Sequence, residues 1–167
     1  MAENRDTEQL LADLDAAEAA LEAAARGVPA ALLHQRPAPD EWSVGEILAH
    51  MADSPRFYVA EVRRLVREGG GAFGRPLDDP ERLGPVEHHG HDSLDEAIAR
   101  NRAGVAVARA LLAELSARDL AVRGVHPRAG EFDVAGLIER FIVAHRRAHA
   151  EQIHQTVAAL DSQASGG

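Results

Sequence analysis

An all-α fold, a four-helix bundle, is what this sequence predicts, and three observations predict it. Alanine, the best helix former, is abundant, while β-branched runs are scarce and aromatic residues make up only 4%. Apolar residues recur at three- and four-residue spacing in four separate stretches. Two of those stretches open on Ser-x-x-Glu, the capping box with which helices start. With 167 residues, 46% of them apolar, the chain suits a single domain with a real core. That domain is placed at residues 1–161, followed by a disordered tail at 162–167.

The first helix is expected from about Thr7 to Arg26, where Leu10, Leu11, Leu14 and Leu21 keep helical spacing and Gly27 supplies a stop. Arg36-Pro37-Ala38-Pro39-Asp40 is a connector that cannot be helix. Ser43 and Glu46 open the second helix, with Trp42 and Ile47 spaced as a hydrophobic staple around the cap. This helix should run to about Val66, with Pro55 kinking it or removing one hydrogen bond. Residues Glu68 to Asp92 read as an irregular loop, either a lid or a flexible segment, because they hold three consecutive glycines and three prolines. Ser93 and Glu96 open the third helix, which should end near Ser116. Asp119 to Phe132 must turn at Gly124, Pro127 and Gly130, and Asp133 caps a fourth helix reaching about Leu160.

Composition narrows the function. The formal net charge is -9, with every one of the eighteen cationic residues an arginine, which argues against nonspecific nucleic-acid or anionic-lipid binding. No stretch approaches the roughly 20 apolar residues of a membrane span, and Met1 to Gln9 lacks the apolar core of a signal peptide, so a cytoplasmic protein is expected. Cysteine is absent, which removes disulfides, thiolate metal sites and thiol nucleophiles. A metal site must be built from histidine and oxygen.

The fourth helix carries His145-Arg146-Arg147-Ala148-His149, with two imidazoles one turn apart. On a helical wheel both share a side with Val134, Ile138, Phe141 and Ile142, while Arg140, Arg147, Glu151 and His154 fall opposite. Two imidazoles pointing at a core need partners, and a shared metal supplies one. A catalytic site requires a third ligand. His50 is the candidate, on a face of the second helix that mixes Ile47, Phe57 and Tyr58 with Glu46, Asp53 and Ser54.

Three segments carry a family resemblance. Trp42 to Asp53, Trp-Ser-Val-Gly-Glu-Ile-Leu-Ala-His-Met-Ala-Asp, resembles the first signature of the DinB-like superfamily. His126 to Gly130 resembles the turn before its last helix, and His145 to Ile153, as H-x-x-x-H-x-x-Q-I, resembles its final signature. The unmatched part is the loop from Glu68 to Asp92. The resemblance implies a four-helix bundle with one divalent metal (zinc or nickel, or iron) on His50, His145 and His149, a small-molecule substrate, and a homodimer. It further implies metal-dependent hydrolysis, or transfer or isomerisation dependent on a low-molecular-weight thiol such as bacillithiol or mycothiol.

Each remaining residue carries two readings. Glu46 is explained by the capping box, or is a base beside the metal. Asp53, three residues after His50, orients it or lies on the surface. Gln152 shares the stripe of His149 and either hydrogen-bonds in the pocket or packs. Tyr58 is core or pocket wall, and His126 satisfies backbone in its turn rather than ligating. His88, His89 and His91 form a second metal site or a solvated loop. Arg146 stands where H-E-x-x-H proteases keep their glutamate base, so that chemistry is excluded. Against an enzyme stands a non-catalytic bundle that keeps a metal for stability or binds a small ligand without turnover. Such a structural ion would be coordinatively closed by a fourth ligand, Asp53 or Glu46.

Overall fold

The computed structural model describes residues 6–166. Helix α1 spans Thr7–Arg26, started by the Asp6 carboxylate accepting from the Gln9 amide at 2.8 Å. Helix α2 spans Val44–Glu68 and α4 spans Leu94–Glu114, each opened by the expected reciprocal capping box, Ser43 with Glu46 and Ser93 with Glu96. Gly69, at φ +75° in the left-handed region, closes α2. The last helical arm is α6 (Val134–Ile138) and α7 (Ala144–Ser165), joined by a π-helical turn at Glu139–Val143. These four arms form the bundle. Helix α1 packs on α4 and α7, and α2 packs on the same two, so the arms run α1–α4–α2–α7 around the bundle and α1 lies diagonal to α2. Helices α4 and α2 cross closely at Gly104, where a Cβ would meet the Ala52 carbonyl of α2 at 2.4 Å.

Three expectations are corrected, and the expected turn is resolved into a hairpin. The segment 68–92 is not a continuous loop: it contains strand β1 (Gly71–Ala72) and helix α3 (Pro80–His89). Asp79 caps α3 and Pro80 occupies its first turn, where a missing N–H loses nothing. The turn region 119–132 holds the end of a short helix α5 (Ala117–Leu120) and a hairpin of β2 (Arg123–His126) and β3 (Gly130–Asp133). Strand β1 joins it in parallel, Gly71 opposite Gly124, so a three-stranded sheet supplements the helices. The fourth helix is interrupted by its π turn. It also continues past Leu160 to Ser165, with the hydroxyls of Ser162 and Ser165 donating to the carbonyls of Ala158 and Asp161; Gly167 of the expected tail lies outside the described residues.

The core is split. One apolar cluster gathers Leu10, Leu14, Val62, Val105 and Val143, and the other Leu21, Leu48, Ala97, Ala150 and Ile153. Between them along every arm lies a buried polar layer centred on Arg146, 1% exposed. Its Nε donates to Glu18 of α1 at 2.6 Å, and its Nη2 to Asn101 of α4 at 3.0 Å. Its Nη1 and Nη2 donate to the Met51 carbonyl of α2 at 3.1 and 3.2 Å. Met51 precedes Pro55 by four residues, and proline has no N–H to offer that carbonyl. The hydrogen bond Pro55 removes from the helix is thus replaced across the bundle by a guanidinium. Asn101 completes the layer by donating to the carbonyls of Leu48 and Ala97, both at 2.9 Å.

Removing Arg146 strands a buried carboxylate, an amide oxygen and a proline-orphaned carbonyl together. We expect Arg146→Ala to destabilise the fold by about 3–5 kcal/mol in urea unfolding. Arg147→Ala, at a half-exposed neighbour paired with Asp13, should lose under about 1 kcal/mol. Equal losses would contradict the role of the polar layer.

Candidate metal centre

His50 lies two turns into α2, and His145 and His149 are the second and sixth residues of α7. The three ring centroids lie 5.2, 5.2 and 4.6 Å apart, and one nitrogen from each comes within 4.8 Å of those from the other two. The π turn shapes this approach. The Ala144 N–H reaches back five residues to the Glu139 carbonyl, widening the helix one residue before His145.

Two partners hold the rings of α7. The Gln152 side-chain oxygen lies 2.6 Å from His149 Nδ1, and the Ser54 hydroxyl lies 3.2 Å from His145 Nδ1. Both contacts occupy Nδ1 and turn the Nε2 atoms towards each other, 3.0 Å apart. His50 is 3% exposed and neither of its nitrogens has a hydrogen-bond partner. A buried polar group left so costs about 1–3 kcal/mol. One proton shared by the two Nε2 atoms would leave His50 unsatisfied; one cation within reach of all three would satisfy every ring. The donor set therefore fits a divalent metal of the zinc, nickel or iron type, which imidazole nitrogen suits.

Burial holds the rings neutral, the form that ligates. It lowers the His50 pKa to about 2, helped by His145 and His149, and that of His145 to about 3, helped by His149 and Arg146 and opposed by a hydrogen bond with the Phe141 backbone. Burial also lowers His149, against the pull of Gln152.

The other singled-out residues fall as follows. Glu46 caps α2: its carboxylate accepts from the Ser43 amide and forms a two-pronged pair with Arg36. Asp53 does not orient His50; it pairs with Arg75 at 3.2 Å. Tyr58 is half-buried, stacked on Phe141, and lines a cavity of about 210 Å³ together with His50, Ser54 and His145. His126 accepts from the Arg128 and Ala129 amides at 3.2 Å, the backbone role expected of it. His88, His89 and His91 do not converge. His88 Nδ1 contacts the Gly84 carbonyl, His89 meets Asp92, and His91 lies against the ring of His34. Among the described residues, His50, His145 and His149 are the one cluster of possible ligands. A larger groove of about 660 Å³ between α2, α3 and α4 holds Asp53, His88 and His89 but none of the three.

Sequence reasoning missed Ser54 as a ring holder and missed four arginines, Arg75, Arg82, Arg128 and Arg140, that also line the 210 Å³ cavity. For Arg82 the signal was present: Asp79-Pro80-Glu81 is a helix start that brings it to the site.

The model of the DinB superfamily matches residues 13–153. The chain is similar in structure to YfiT from Bacillus subtilis, a probable metal-dependent hydrolase with an unusual four-helix bundle topology. TM-score is 0.70 and identity 18%, over 89% of this chain and 86% of that one. It is also similar to a protein from Clostridium difficile 630, with TM-score 0.69 and 14% identity over 90% and 95% of the two chains. A third likeness, to a protein from Streptococcus pneumoniae, has TM-score 0.64 and 16% identity over 92% of both. At these identities the likeness shows the fold. Among curated proteins, none matches the chain.

The lowered pKa values set a pH dependence. Unfolded histidine titrates near 6.5, so the stability contributed by neutral rings is complete above about pH 6.5 and is lost as pH falls towards the folded values, about 2 for His50 and about 3 for His145. In metal-free protein over that window, His50→Leu should flatten the dependence of unfolding free energy on pH by about 1.4 kcal/mol per unit. Parallel profiles for variant and wild type would contradict the buried neutral ring.

Proposed function

This chain belongs to the DinB superfamily, and on that premise we propose that it is a metal-dependent enzyme holding one divalent ion on His50, His145 and His149. The observation that carries this is the pair of unpartnered His50 nitrogens, buried against two rings whose Nε2 atoms converge beside it. Zinc and nickel suit the all-imidazole donor set best, with iron next. When bound, such an ion supplies Lewis-acid activation of a nucleophile and polarises an electrophile.

The chain's own residues do the rest. Gln152 and Ser54 set the ring orientations, as outer partners of metal-ligating histidines do. Phe141 and Leu77 supply apolar wall to the cavity beside His50 and His145. The Tyr58 hydroxyl stays protonated, its pKa raised by burial against the opposing charge of Arg75, so it is a hydrogen-bond donor. An open site is favoured over a closed structural one because the two carboxylates able to close it are engaged elsewhere, Asp53 with Arg75 and Glu46 with Arg36.

Similarity to YfiT supports hydrolysis. One observation favours thiol-dependent transfer instead: no carboxylate is among the residues lining the cavity. Water activation lacks a carboxylate base there, whereas a thiol, with a pKa near 8.5, needs far less help to ionise.

Untagged protein should purify with about one divalent metal per chain, and His145→Ala should lose most of it. A wild-type chain with no retained metal, or an unchanged stoichiometry in the variant, would sink the ligand assignment. Turnover of ester, amide and electrophilic probes, with and without bacillithiol or mycothiol, then separates the two chemistries; a rate that depends on the thiol selects transfer.

A further inference from the structure

The cavity beside the three histidines is cationic in an acidic protein. Arg75, Arg82, Arg128 and Arg140 line it and no Asp or Glu does, although the whole chain carries a formal net charge of -9. Elsewhere most of the described arginines lie against carboxylates, Arg56 and Arg118 excepted: Arg63 on Glu114, Arg100 on Asp92, Arg102 on Glu22, Arg109 on Asp15. In the cavity, among the described residues, only Arg75 does so, through Asp53, with its guanidinium also 4.1 Å from the Phe57 ring centroid. Arg82 is held ready without an anion: Nη1 donates to the Leu77 carbonyl at 2.7 Å and the guanidinium lies 5.2 Å from the Trp42 ring. Burial and the like charges of Arg75 and Arg128 pull its pKa below the usual arginine value. Arginine forks match the oxygens of carboxylates and phosphates, and cations gathered in a low-dielectric cleft attract anions from solution.

We infer that the cavity recognises an anionic oxygen group, a carboxylate or a phosphate, on the substrate or co-substrate, with Arg82 and Arg128 as its main contacts. This deepens the metal-dependent reading and rests on it for the role of the bound molecule in turnover. The remaining wall includes Tyr58 stacked on Phe141 at 5.1 Å, with apolar Leu77 and Ala148, so the anionic group is carried on a small apolar or aromatic body. A volume of about 210 Å³ admits a molecule the size of a substituted benzene ring and not a polymer.

The test is calorimetric titration of the full chain, metal-free and zinc-loaded, with benzoate, phenylphosphonate and neutral benzamide. Benzoate and phenylphosphonate should bind the metal-free chain at least about tenfold more tightly than benzamide, and more weakly as salt is raised. The tighter of the two assigns carboxylate or phosphate. Arg82→Gln/Arg128→Gln should lower anion affinity by about tenfold or more while leaving benzamide affinity and zinc stoichiometry unchanged. Arg128→Gln alone, at an exposed turn position, should lose several-fold and guards against a folding defect in the double variant. Surface Arg147→Gln should change nothing. Benzamide binding as well as benzoate, or arginine variants binding anions like wild type, would overturn the inference while zinc is still held. Absence of zinc binding with intact anion selectivity would instead overturn the metal reading and leave this one standing.

Discussion

The fold turns on a single guanidinium in the middle of the bundle. Arg146 reaches one partner on each of the other three arms, and charge buried this deeply is tolerable only because its donors are so widely used. Those partners set the rotation of α7 as well as its depth. A helix held with residue 146 facing the bundle axis turns residues 145 and 149 onto the flank that faces α2, where His50 waits. The metal site and the polar layer are therefore two faces of one helical turn. Pro55 belongs to the same arrangement, since the carbonyl it leaves free is what Arg146 finds on α2.

A second consequence is chemical. His50 is buried and His145 and His149 are part-buried between the two apolar clusters, so the rings stay neutral and need no deprotonation to ligate near neutral pH. Gln152 and Ser54 spend the outer nitrogens on protein contacts and leave the inner ones for a shared ion. The π turn lies beside this, at the one place in the helix where an extra residue per turn alters the approach of His145. It also accounts for Arg140, which a regular wheel puts on the solvent side and which instead lines the cavity.

Much of this was legible in the sequence because it is local. The two Ser-x-x-Glu boxes mark the starts of α2 and α4 within their own first turns, and the i, i+4 spacing of His145 and His149 is a property of one helix. His50 was reachable because the cap at Glu46, with Trp42 packed on the cluster that holds Ile47, gives α2 a firm register. What was hidden depends on distant chain. The role of Arg146 exists only once the other three arms surround it. The cavity arginines come from separate segments, and no spacing rule joins Arg75 and Arg82 to Arg128 and Arg140. Helix α3 was obscured by Gly84 and Pro85 in its interior, and the hairpin by strands of only four residues, too short for an alternating pattern to stand out.

The claim that everything converges on one ion held by three imidazoles is tested most directly by X-ray absorption spectroscopy of the zinc-loaded chain. The account predicts about three imidazole nitrogens at about 2.0–2.1 Å, with their outer-ring scattering, and a further light-atom ligand that exchanges with added small molecules. A shell dominated by carboxylate or water oxygens, or one showing two imidazoles and unaltered in a His50→Leu chain, would contradict it.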